Sequence, residues 1–116
     1  MSSYRNLNVW KKAMDFAVRI YELTNSFPQK EAFSLTNQIR RASISVPSNI
    51  AEGSGRKTIK DYCQFITIAR GSLCELETHL EIAFRVGYIQ KELFQKLLIE
   101  TSEIGKMLNG MMRALK

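Results

Sequence analysis

Apolar residues recur along this chain at three- and four-residue intervals, with short polar breaks between four long stretches. In the first stretch they fall at Trp10, Ala13, Met14, Ala17, Ile20 and Tyr21, which is helix spacing. The pattern predicts a helix over residues 6–25, ended by the break around Pro28, which cannot continue a helical ladder. A second helix is predicted over 31–53, with Leu35, Ile39, Ala42, Val46 and Ile50 on one face and Gly53-Ser54-Gly55 at its end. The third runs over 58–86, through Tyr62, Phe65, Ile66, Ala69, Leu73, Leu76, Leu80, Ala83 and Phe84. Thr58 with Asp61 three residues on resembles a capping box, and Gly87 is a C-cap candidate. The fourth runs over 90–115, through Phe94, Leu97, Leu98, Ile104, Leu108, Met111 and Leu115. No stretch alternates with period two, so no sheet is expected. Helices of ~20–28 residues are about 30–42 Å long, and short connections make neighbours antiparallel. The expectation is a single all-α domain over residues 1–116, an up-down-up-down four-helix bundle.

The second helix departs from its neighbours. Between Glu31 and Glu52 its only charged residues are Arg40 and Arg41. The other helices carry i,i+4 charge series, such as Lys11-Asp15-Arg19 and Glu77-Glu81-Arg85. On a helical wheel, Phe33, Ile44, Pro47 and Ala51 form a second apolar stripe, about a third of a turn from the first. Two apolar sides exceed the ~100° stripe that one bundle face needs, so this helix is expected to bury one side against another subunit. The alternative is a helix sunk deep in its own bundle. Pro47 is expected to kink it or start a new turn, and to free the Ser43 carbonyl for nearby Ser or Asn side chains. Arg41 is expected to pair with Glu52 if it bridges to a neighbouring chain, and Arg40 to reach Glu75 or Glu77 across the bundle. Asn49 joins these as a structural or interface polar position. Small residues at Ala69, Gly71 and Ser72 leave room for close helix approach.

Charge changes the picture next. The chain has 17 Lys+Arg against 11 Asp+Glu, a formal net charge of +6 and a pI near 9.6. Residues 61–89 are net acidic, and the other three segments carry the basic excess. Phosphate backbones attract such surfaces with little sequence preference. The candidate nucleic-acid contacts are Arg56, Lys57 and Lys60 at the turn before the third helix. Arg5, Lys12 and Arg19 add a seven-residue series on the first, interrupted by Asp15 and Glu22. Arg40 and Arg41 are a further phosphate-binding alternative. The competing function is a protein-interaction scaffold without nucleic-acid affinity.

Catalytic chemistry finds little material. Gly53-Ser54-Gly55-Arg56-Lys57-Thr58 lacks the contiguous Gly-Lys-Ser/Thr of a phosphate-binding loop and follows a helix rather than a strand. His79 is the only histidine, and Leu76 stands three positions before it, which excludes a Glu-x-x-His di-iron bundle site. A triad centred on His79 in a helix middle is geometrically poor. Cys63 and Cys74 lie about 16 Å apart along one helix, too far for a disulfide, and read as small buried hydrophobes. A non-enzymatic protein with no cofactor or metal is expected. No apolar run is long enough to span a membrane and the start has no secretory signal, so the cytoplasm is the expected location.

The stretch Gln38-Ile-Arg-Arg-Ala-Ser-Ile-Ser-Val-Pro-Ser-Asn-Ile-Ala-Glu-Gly-Ser-Gly-Arg56 resembles the signature of the small four-helix bundle proteins encoded in intervening sequences of bacterial 23S ribosomal RNA genes. Phe65-Ile-Thr-Ile-Ala-Arg-Gly-Ser-Leu-Cys-Glu-Leu-Glu77 resembles that family's third-helix pattern, and Leu7-Asn-Val-Trp-Lys-Lys-Ala13 and Val86-Gly-Tyr-Ile89 fit as well. The resemblance covers nearly the whole chain. It implies a four-helix up-down bundle assembled as a homopentamer. A similar basic pentameric bundle, the accessory protein of diversity-generating retroelements, binds nucleic acid and partners a reverse transcriptase. The resemblance supplies no biochemical activity.

Overall fold

The computed structural model describes residues 3–116. Its main elements are four helices: α1 (Asn8–Thr24), α2 (Leu35–Ser54), α3 (Ile59–Arg85) and α4 (Lys91–Leu115). Short 3-10 turns at Tyr4–Asn6 and Gln29–Glu31 precede α1 and α2. No strand occurs among the described residues. Each helix packs on the next and α1 also meets α4, closing an all-α four-helix bundle of 43 × 25 × 20 Å. The most extensive packing is between α2 and α3.

The stripes read from the sequence form the core. Phe16, Ile20, Ile39, Ile50, Ile66, Leu76, Leu80, Ile104 and Leu108 are among its fully buried side chains. Thr58 caps α3, its hydroxyl accepting from the Asp61 N–H at 3.1 Å. Gly87, at φ +91°, ends the same helix. Tyr88 N–H reaches the Ala83 carbonyl (2.8 Å) and Gly87 N–H the Phe84 carbonyl (3.0 Å), the bond pair of a Schellman cap.

Three expectations change. First, α2 begins at Leu35, not Glu31. The Glu31 carboxylate instead accepts from the Ser34 hydroxyl (2.7 Å) and the Tyr88 hydroxyl (2.8 Å), fixing a non-helical entry to α2. Phe33 therefore lies outside the helix on whose second stripe the wheel placed it, and is 96% exposed. Second, α2 continues as one helix through the buried Pro47, so no new element starts there. Nearby side chains serve other carbonyls: Ser43 hydroxyl donates to Arg40 O (2.8 Å) and Asn49 amide to Ser45 O (2.8 Å). Third, Gly53 is a packing residue as well as a signal for the helix end. A Cβ there would stand 2.8 Å from Cβ of Phe65, so its absence is what lets the end of α2 rest on α3.

Small residues have a parallel role higher on the same interface. Ala69 is fully buried, and the Ser45 and Ser72 hydroxyls meet at 2.7 Å between α2 and α3. Gly71 faces open space. Both cysteines are free; Cys63 is half-buried and Cys74 exposed, so the latter is not the buried hydrophobe its composition suggested.

Candidate nucleic-acid interface

The fold gathers charge that is scattered in the sequence. The 3-10 turn at Tyr4–Asn6 packs against both α1 and α2. The end of α2 joins the start of α3 through a short turn, and the start of α3 shares a groove with Met112 of α4 and with Lys116 just beyond it. Lys12 near the start of α1 meets Glu103 of α4 at 3.0 Å. Residues 3–12, 52–61 and 103–116 thus lie in one half of the bundle, toward the same end. They hold nine of the 17 basic residues and three of the 11 acidic ones. These segments carry a net +6, and the rest of the sequence, with eight residues of each sign, is neutral.

Lys57 and Lys60 stand exposed at the α2–α3 turn without an ion-pair partner. Beside them, the Arg56 guanidinium lies over the Phe65 ring at 4.4 Å and 3.7 Å from Glu52, so ring and carboxylate together hold it in place. Arg5 is positioned in the same manner, 5.6 Å from both the Tyr4 and Trp10 rings. Lys11 of α1 is exposed at this end as well, and so are Lys106 and Arg113 of α4 and Lys116 just after it, a C-terminal contribution that reading single motifs missed. The signal was present as charge density near the C-terminus, but only the packing shows that it joins the α2–α3 turn.

Besides Arg56, two of the sequence candidates have ion partners, and theirs lie on another helix. Lys12 pairs with Glu103 and Arg19 with Glu100, so these two residues tie α1 to α4. Arg40 reaches neither Glu75 nor Glu77. Its Nε donates to Thr24 Oγ1 (2.8 Å) and its terminal nitrogen to Asn25 Oδ1 (3.1 Å), with the guanidinium 4.6 Å from the Tyr21 ring. It thereby closes off the end of α1. Glu77 instead accepts from the Thr101 hydroxyl of α4 at 2.6 Å. Within the chain Arg41 and Glu52 do not pair; Arg41 and Glu75 are exposed without ion partners. Asn49 bonds within α2, to Ser45 O and to its hydroxyl (3.0 Å). His79 is half-buried, with Nδ1 lacking a partner.

Among the described residues no cluster of His, Cys, Asp and Glu has a metal-binding arrangement. No described helix is long and apolar enough to cross a membrane.

Comparison with known proteins gives one consistent picture. Residues 5–110 match the family described as 23S rRNA-intervening sequence protein. A crystal structure of a protein of unknown function from Bacteroides thetaiotaomicron, described as belonging to the S23 ribosomal protein family, superposes with a TM-score of 0.84. It is 29% identical, and the match covers 90% of this chain and 95% of that one. No curated protein matched the sequence.

Proposed function

Because this chain belongs to the 23S rRNA-intervening sequence protein family, we propose that it is a non-enzymatic, self-assembling bundle that holds structured RNA, or nucleic acid generally, against its basic end. The observation that carries this reading is the gathering of nine of the 17 basic residues, against three of the 11 acidic ones, in segments toward that end. A phosphate backbone approaching there releases counterions for each Lys or Arg it neutralises. The exposed amines of Lys57, Lys60 and Lys116 are free to move onto phosphates. Arg5 and Arg56 are already oriented by aromatic rings, which lowers the entropy cost of using them. Helices alternating in direction follow from the short connections. A homopentamer in the cytoplasm is the form this reading takes, and repetition of the basic end around such a ring multiplies its attraction.

The test is a titration of fluorescent RNA and DNA at several salt concentrations. With about four to six phosphates neutralised per site, log affinity should fall with log salt with a slope of roughly −4 to −5. Joint reversal of Lys57, Lys60 and Lys116 to glutamate should abolish the binding. Absence of binding by the assembled parent protein at low salt overturns the reading. The exposed apolar side chains on α1, α2 and α3 would then favour the protein-interaction scaffold.

A further inference from the structure

Two apolar surfaces of this chain lie on different sides and have no partner within it. One is a groove of about 290 Å³ between α1 and α2, lined by Met14, Ala17, Val18, Tyr21, Ile44 and Pro47, with Ser48 at its edge. A cavity of ~150 Å³ already holds a benzene ring, so this groove has room for an aromatic side chain. The other is a projection: Phe33, 96% exposed, beside Ile82 and Val86, 45% and 55% exposed.

The charges flanking these surfaces are complementary in register. Lys11, Met14, Val18 and Tyr21 recur at three- and four-residue steps and so share one stripe of α1. Glu75, His79, Ile82 and Val86 do the same along α3 and its end. Lys11 precedes Val18 by seven residues, and Glu75 precedes Ile82 by seven, about 10.5 Å along each axis. Lys11 and Glu75 are both exposed, and neither has an ion partner in the chain.

We propose that the Phe33–Ile82–Val86 projection of one chain seats in the α1–α2 groove of a second copy, with Glu75 of the first opposite Lys11 of the second. This deepens the self-assembly part of the reading above and rests on it. Two different surfaces meet, so the contact is heterologous: each chain keeps one free groove and one free projection, and repetition builds a ring if the rotation closes. The shared register sets the two chains side by side in the same direction, bringing their basic ends to one rim.

The experiment uses two variants of the full chain, Phe33→Asp to disable the projection and Val18→Asp to disable the groove. Both positions are exposed in the single chain, and circular dichroism melts verify that each variant folds. Light scattering at micromolar concentration should show the parent as a multiple of the 13.3 kDa chain and each variant as a monomer. Mixed in equal amounts, the variants should form a dimer and nothing larger, since one intact groove and one intact projection remain between them. Lys11→Glu should weaken assembly, and Lys11→Glu with Glu75→Lys should restore it. A monomeric parent overturns the self-assembly reading and this proposal together. An assembled parent whose two variants stay assembled, or whose mixture stays monomeric, overturns this proposal alone. Assembly indifferent to Lys11→Glu overturns the register.

Discussion

Arg40 and Arg41 are adjacent and chemically alike, yet the helix sends them to different tasks. Arg40 turns toward α1, where a threonine hydroxyl, an asparagine side chain and a tyrosine ring receive it. Arg41 points to solvent. Arg40→Ala should therefore cost about 1–2 kcal/mol, the scale of hydrogen bonds to a partly exposed charged group. Arg41→Ala should stay within about 0.5 kcal/mol, as for an unpartnered surface residue. Urea denaturation of both variants checks this; equal losses would refute the assignment. Sequence reading gave Arg40 a structural role but the wrong neighbour. A formal-charge argument sought a carboxylate, whereas the guanidinium is satisfied by neutral oxygens and a ring. Gly53 was half legible for a related reason: a glycine near a helix end looks like a stop signal, and only the close approach of Phe65 Cβ shows that its missing Cβ matters.

The four helices were legible because their apolar spacing, the Thr58 cap and the Gly87 turn all agree with one another. The entry to α2 was not, because its conformation depends on Tyr88, 57 positions away from Glu31. This connection makes the α2 entry sensitive to acid. The Glu31 carboxyl is held below the usual carboxylate range, first by the Ser34 hydroxyl and then by that of Tyr88. The folded chain thus binds this proton less readily than the unfolded one. The contact's stabilisation is complete above the ordinary glutamate pKa and fades as pH falls through the lowered value. Thermal melts should show the parent losing stability in that window, and Tyr88→Phe should lose less. A parallel decline in both proteins would mean that the Glu31–Tyr88 contact does not couple to folding.

For the whole molecule, sequence segments assigned the basic excess to three helices, and packing resolved it into one end. The difference is physical: a helix is some 30–40 Å long, so charge per helix says nothing about which end bears it. The neutral end supplies an internal control for the proposed nucleic-acid contact. Reversing Lys91 and Lys96, at the start of α4, should leave RNA affinity within about twofold at physiological salt, where the Debye length is about 8 Å. Reversing Lys57 and Lys60 should lower it by tenfold or more. Equal losses in a filter-binding assay would show that total charge matters and its location does not.

A body with its net charge gathered toward one end is also an electric dipole. In the field of a polyanion such a molecule feels a torque before it touches anything, and it turns its charged end forward during approach. Orientation is a large part of the diffusional cost of specific docking, and steering of this kind raises association rates while weakening steeply with ionic strength. The placement of nine lysines and arginines at one end therefore acts on how fast and in what attitude the protein arrives, as well as on how tightly it stays.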